Sequence, residues 1–302
     1  MSTCVFSNCP APKAGPDGRC SSCGSLLLDE LVRNRYLIRE VISKSKYSVS
    51  YLSFDTNQGN AERILKELQP VIEGDPESYS TTRAVAERLF EREARVLLSL
   101  QHRGIPHLFS TFEFNGYWYL VQEHIAGQTL LDWLEANQNV IGEREARRIL
   151  FELATILAYL HSRVPTVVHR DIKPQNLMLA ADDGRLLLIN FAAVSQVNPS
   201  KERAGTVIGS AGYAPPEQLI GQAVPQSDLY ATGATMLRLL TGLHPSRLYN
   251  PVEQRFIWEG KVNVTPTFAE IINGLLLYDV NKRTSSAGEL IAQLEILRPL
   301  PN

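Results

Sequence analysis

Eight residues, His169-Arg170-Asp171-Ile172-Lys173-Pro174-Gln175-Asn176, constrain this chain more than any other stretch. The apolar pair Val167-Val168 runs into them and the apolar Leu177-Met178-Leu179 follows, so they read as a polar loop between two short strands. A chain of 302 residues can bury a sizeable core around such a loop and form two or three structural units. Charged residues make up 21% and the formal net charge is −2, so no acidic or basic excess points to nucleic acid or an anionic membrane. Met1 to Pro10 holds no apolar run of signal-peptide length, and no later run approaches a membrane span. A soluble, cytoplasmic protein is the expectation.

The octapeptide resembles the catalytic loop of a protein kinase, in the H-R-D-x-K-P-x-N form typical of serine/threonine kinases. Six family positions matched in eight residues set the ordinary-loop reading aside. The resemblance implies Asp171 as the base for the substrate hydroxyl, Lys173 beside the transferring phosphoryl group and Asn176 as a Mg²⁺ ligand. It covers residues from about 36 to 298 and implies an α+β, two-lobed protein-kinase fold with a β-rich small lobe and a helical large lobe.

The first departure from the family lies in the small lobe. Tyr36 to Ile42 and Tyr47 to Phe54 read as strands, where kinases place a glycine-rich hairpin whose backbone approaches the ATP phosphates. Aligning Tyr47 with the family aromatic puts Ser43, Ser45 and Ser48 at the three glycine positions. Lys44 and Lys46 add positive charge nearby without restoring backbone access, so the hairpin is expected to persist as structure and not to cradle nucleotide. Ile64-Leu65-Lys66 fits the third strand, with Lys66 at the phosphate-contacting position. Gln69 to Tyr79 reads as a loop, and Thr82 to Leu100 as a helix with Leu89, Phe90, Val96, Leu97 and Leu100 on its apolar side. On it, Glu93 fits the partner of Lys66. Two further strands flank the turn at Asn115-Gly116, leading to Gln122 as gatekeeper and Glu123-His124-Ile125 as the segment that would bond adenine. The resemblance adds Ile64 and Met178 to the residues around a nucleotide.

The second departure lies in the large lobe. The buried strand Leu186 to Ile189 should deliver Asp-Phe-Gly; this chain has Asn190-Phe191-Ala192. An amide at 190 keeps a carbonyl oxygen but loses the negative charge, and Mg²⁺ usually relies on one or two carboxylates. The structural positions survive: Leu97, Leu108, His169 and Phe191 match the family's internal column, with Asp228 as its anchor near the start of a helix, where a carboxylate can also cap free N–H groups. Gly209 to Glu217 resembles the peptide-binding end of the activation segment, in which Ser210 contacts the catalytic Asp and Glu217 pairs with a distant arginine, here Arg283. Thr206 and Ser200 are candidate phosphosites that Arg170 could read.

All four cysteines precede Gly24 in the spacing C-x4-C-x10-C-x2-C: Cys4, Cys9, Cys20 and Cys23. So small a turn-rich segment needs a staple to fold. Four thiolates on two turns suit tetrahedral Zn²⁺, and Cys20-Ser21-Ser22-Cys23-Gly24 resembles a zinc-ribbon knuckle. Disulfides or a redox switch, and an unstructured tail, stay open beside structural zinc. Bacterial kinases of the eukaryotic-like type, cyanobacterial ones especially, look similar in carrying such a head. The expected division is a zinc-ribbon-like head at 1–28, a linker at 29–35, the small lobe at 36–125, the large lobe at 126–298 and a tail at 299–302, ending without the repeat domain or membrane span of many bacterial relatives. Retained shape with altered phosphate and metal positions implies a pseudokinase that binds and regulates a protein partner. The alternative is an active serine/threonine kinase transferring the ATP γ-phosphate, so ATP and Mg²⁺ stay open.

Overall fold

The computed structural model describes residues 4, 9, 15, 18–45, 47–69, 76–137, 140–197 and 209–297. Ser200, Thr206 and Lys46, singled out above, lie outside the described residues. The chain divides into two compact units, residues 1–100 with 106–125, and residues 101–105 with 126–302.

The first unit is built on one antiparallel sheet. Its strands are β1 (Leu31–Val32), β2 (Tyr36–Lys44), β3 (Ser48–Asp55), β4 (Ala61–Leu68), β5 (Leu108–Phe114) and β6 (Tyr117–Glu123), in the order β1-β2-β3-β4-β6-β5. Strand β3 alternates, with Val49, Tyr51 and Ser53 buried, as a half-covered strand should. Strand β4 does not alternate at its end: Leu65, Lys66, Glu67 and Leu68 are all buried. It is therefore covered on both faces. Leu65 joins Tyr51, Tyr119, Phe112 and Leu26 in an apolar core on one face, and Lys66 meets helix α1 (Pro76–Leu98) on the other. That helix begins earlier than Thr82, inside the stretch that reads as a loop, because Pro76 at its first position lacks only an N–H that would have no helical partner. Asn115 and Gly116 both take positive φ, 52° and 78°, closing the β5–β6 hairpin tightly.

The second unit is mainly helical: α2 (Leu130–Asn137), α3 (Glu143–His161), α4 (Pro216–Leu219), α5 (Pro225–Thr241), α6 (Pro266–Leu275) and α7 (Ala287–Ile296). The apolar positions of α3, from Ile149 and Leu150 to Leu157 and Leu160, are buried, and the helix packs on α5 and α7. Small strand pairs carry the functional loops: β7 (Gly127–Thr129) and β10 (Leu186–Leu188) flank β9 (Leu177–Ala180), and β11 (Ser195–Val197) pairs β8 (Thr166–Val168). Gly242 ends α5 at φ 69°, a left-handed cap. Asp228 does not cap α5. It lies beyond the first free N–H groups, and Ser227 Oγ instead accepts from the Val224 N–H at 3.1 Å.

Candidate functional site

In the second unit, β8 and β9 hold the octapeptide between them, and Asp228 fixes it from below. The Asp228 carboxylate, fully buried, accepts from the backbone N–H of His169 and of Arg170, each at 2.8 Å, and lies 3.0 Å from His161 Nε2. Two adjacent amides on one carboxylate lock the loop's direction, and Arg170 takes φ 68° as a result. Arg170 is buried, with Nε donating to the Ala193 carbonyl at 2.6 Å. His169 meets Phe191 edge to face at 4.9 Å between ring centres.

This anchoring aims Asp171 into a closed polar network. Its Oδ1 accepts from Ser210 Oγ at 2.7 Å, and its Oδ2 accepts from Asn176 Nδ2 at 2.8 Å and lies 2.9 Å from Lys173 Nζ. Lys173 Nζ also donates to Ser210 Oγ at 2.7 Å. Asn176 Nδ2 makes a second bond, 2.6 Å to the Asp171 carbonyl, so the Asn176 amide can take only one orientation. Its Oδ1 then faces Asn190 and accepts from Asn190 Nδ2 at 3.2 Å. Asn190 sits at φ 63°, a left-handed position that Asn tolerates better than most residues. The two side chains that would flank a divalent cation thus bond to each other, and neither carries charge. This donor set does not fit Mg²⁺, which favours anionic oxygen.

In the first unit, Lys66 Nζ lies 2.7 Å from both carboxylate oxygens of Glu93, and both residues are buried. The strand and the helix therefore bring together the pair that the family resemblance implied. The serine hairpin is different. Ser43 lies within β2 and Ser48 opens β3; Ser45 alone of the three occupies the connecting loop. Ser45 Oγ accepts from the backbone N–H of Ser48 at 3.1 Å and of Tyr47 at 3.4 Å, and meets Ser48 Oγ at 2.9 Å. The loop's own hydroxyl uses the amides that a glycine-rich loop would turn toward phosphate. Gln122 pairs in register with Ile64, and Glu123 N–H donates to the His107 carbonyl at 2.8 Å. Ile125 is buried at the end of this unit, and Met178 lies in β9 of the other.

The cysteines form a separate cluster. Cys4 and Cys23 sulfurs are 3.5 Å apart, Cys9 and Cys20 are 3.6 Å apart, and all four lie within 4.8 Å of one another. A disulfide would hold either close pair near 2 Å. A metal bound at about 2.3 Å to four sulfurs sets a tetrahedral edge of roughly 3.8 Å. The four thiols therefore fit a metal ion, as a zinc-ribbon-like segment would.

Sequence reading missed two features. One is Ser45 turning inward on its own loop, which no spacing announces. The other is Arg19, whose guanidinium lies 2.7 Å from the buried Glu67 carboxylate. A Glu directly after Lys66 in an otherwise apolar strand was the available signal.

Residues 77–294 match the family model for the protein kinase domain. The chain belongs to the protein kinase family. Its two units are the β-rich and helical lobes of the two-lobed kinase fold. The kinase match begins downstream of β2–β4 and so leaves out the serine hairpin. Among similar proteins are serine/threonine-protein kinase B of Synechocystis sp., 36% identical over 98% of this chain and 52% of that protein, and serine/threonine-protein kinase PknA of Nostoc sp., 36% identical over 89% and 48%. Serine/threonine-protein kinase C of Synechocystis sp. is 34% identical over 88% and 50%. The chain spans about half the length of the curated relatives it matches. Among the described residues, no helix is long and apolar enough to cross a membrane.

Burial of His169 has a measurable consequence. Desolvation pushes its imidazole below the ordinary range, against the pull of Asp228 and Asp171. A depressed folded-state value contributes stability above the unfolded value of about 6.5, and that contribution is lost as pH falls below it toward the folded value. The unfolding free energy from urea titrations should therefore fall between pH 6.5 and 5.5, by up to about 1.4 kcal/mol per pH unit from this group. His169→Leu should flatten that part of the profile. An unchanged slope in the variant would place the dependence elsewhere.

Proposed function

We propose that this chain is a pseudokinase: a kinase-fold module that binds and regulates a protein partner without transferring phosphate. The Asn190–Asn176 amide pair carries this reading. It stands where the family holds its metal, and it satisfies itself with no anionic ligand at position 190. The self-bonded Ser45 loop supports the same conclusion at the phosphate end. Asp171, Lys173, Asn176, Ser210 and the Glu217–Arg283 pair are then structural inheritance that keeps a docking-competent large lobe. The four cysteines are read as a structural zinc site in a head spanning residues 1–28, ahead of a linker, a small lobe at 36–125 and a large lobe at 126–298. Cytoplasmic location is part of the same proposal.

A second reading, a weakly active serine/threonine kinase, is favoured by one observation: Lys66 and Glu93 are paired at 2.7 Å. The similarity to serine/threonine-protein kinases points the same way. Thermal-shift titration of the zinc-loaded chain with ATP, with Mg²⁺, with Mn²⁺ and with neither cation added, separates the two. A ligand at about a hundred times its Kd adds roughly 2.7 kcal/mol to the folded state. The pseudokinase is expected to show no shift, or the same shift with and without metal. A shift that requires Mg²⁺, followed by ³²P transfer to protein, would sink it.

A further inference from the structure

Strand β4 carries two buried ion pairs on adjacent residues that point to opposite faces of the sheet. Lys66 meets Glu93 of α1 on one face; Glu67 meets Arg19 on the other. Arg19 is the residue immediately before Cys20. Besides Glu67 at 2.7 Å, its guanidinium donates to Tyr119 Oη at 2.8 Å and to the Gly24 carbonyl at 2.9 Å, and it lies 3.5 Å from the Tyr117 ring centre. Tyr51 Oη donates to the second Glu67 oxygen at 3.0 Å. Glu67 is wholly buried, so without Arg19 it would be a carboxylate in an apolar core.

The cysteine turn sets where Arg19 points. Cys20 N–H bonds the Ser25 carbonyl at 2.8 Å and Gly24 N–H bonds the Cys20 carbonyl at 2.7 Å, so residues 20–25 close on themselves. Arg19 is thereby bridged to Leu26, which enters the sheet core beside Tyr51. Gly24 takes φ 73°, and a Cβ there would come within 3.2 Å of Gln69 Nε2, just past β4. The knuckle that orders two of the four sulfurs is thus the same turn that orients the arginine.

We propose that the four-cysteine segment is a metal-dependent clamp on strand β4. Filling the sulfur site fixes Arg19 on Glu67, and this holds the neighbouring Lys66 in place for Glu93. Arg19 and Glu67 are positioning residues: they act on Lys66 through one peptide bond. Emptying the site loosens the turn, withdraws the arginine and leaves Glu67 buried without its cation, so β4 opens more often. The occupancy of the head is then a control on the small lobe. This rests on the metal reading of the cysteines, and the test separates the two.

Hydrogen exchange of the full chain, zinc-loaded and then stripped with a chelator, reads the clamp at residues 61–68, with residues 225–241 of the other unit as control. Co²⁺ absorbance in the thiolate region reads the metal site. Stripping should speed exchange at 61–68 by tenfold or more and leave 225–241 unchanged. Arg19→Leu should exchange fast at 61–68 in both states while still taking up one Co²⁺. Arg19→Leu/Glu67→Leu, which replaces the pair by apolar groups, should restore slow exchange in both states and still bind metal; such replacement of a buried pair is often tolerated. Equal exchange at 61–68 in loaded and stripped wild type would overturn the clamp. So would an Arg19→Leu chain as protected as wild type. No Co²⁺ uptake by the wild type would overturn the metal reading and the gating with it, whereas Arg19→Leu against the double variant would still judge the Arg19–Glu67 link.

Discussion

Asn190→Asp should give the large lobe a response to Mg²⁺ or Mn²⁺, and it should do so at a cost that the metal removes. Asn176 cannot rotate its amide, because Nδ2 is held by the Asp171 carbonyl at 2.6 Å and by Asp171 Oδ2 at 2.8 Å. An aspartate at 190 therefore sets a carboxylate oxygen against Asn176 Oδ1, where a 3.2 Å hydrogen bond now stands. The bond is lost, two acceptors face each other and the Asp171 charge is close. Asn190 is exposed and the bond is only partly buried, so losing it costs about 0.5–1.5 kcal/mol. In EDTA the variant should melt about 1–4 °C below wild type. A divalent cation between the two oxygens reverses the repulsion, so millimolar Mg²⁺ or Mn²⁺ should recover the loss. Wild type should not respond to either ion. Differential scanning fluorimetry over a metal titration checks this directly. A variant as stable as wild type in EDTA, or equal metal responses in both proteins, would mean that the amide pair does not stand in for a cation.

That prediction also marks where the sequence was legible. The large-lobe site could be read because it is local: Asp171, Lys173 and Asn176 lie within six residues, and their strands fix how they face. The longer ties, Lys66 to Glu93 and Glu217 to Arg283, were legible only through the family pattern, since nothing in a single strand or helix names its partner. Asn190 was legible as a lost charge, but its bond to Asn176 was not, because amide orientation depends on what the other end of Asn176 holds. Asp228 was assigned a local cap from its place near a helix start, whereas two amides nearly sixty residues away claim it instead. Ser45 and Arg19 were illegible for different reasons. Ser45 is exposed and bonds only within its own short loop, a local turn that one serine does not announce. Arg19, by contrast, finds its buried carboxylate only through tertiary packing. The start of α1 was obscured by proline, which reads as a breaker although at a first turn it costs nothing.

Arg283→Met should be strongly destabilising to the large lobe. The Arg283 side chain is fully buried, with Nη1 2.7 Å from Glu217 Oε1 and 2.9 Å from the Gln226 carbonyl, and Nη2 3.3 Å from Glu217 Oε2. Nε donates to the Leu277 carbonyl at 3.0 Å. One guanidinium thus satisfies a carboxylate of α4, a carbonyl of α5 and a carbonyl just after α6. Removing it strands a mostly buried charge together with those carbonyls, and breaking a buried pair from one side costs about 3–5 kcal/mol. Glu217→Gln should cost less, because the amide oxygen can still accept from Arg283 and from Ser227 Oγ, now 2.8 Å away. The double variant Arg283→Met/Glu217→Leu should lose less than the sum of the two single changes, with a coupling on the order of 1–3 kcal/mol. Urea midpoints of the large-lobe transition supply all the terms. An Arg283→Met loss below about 1 kcal/mol would contradict the burial argument. This tie is independent of phosphate chemistry: it joins α4 to the segment before α7 and needs neither nucleotide nor metal. A chain that bonds Asn176 to Asn190 while keeping this arginine fully committed has retained what holds a kinase lobe together.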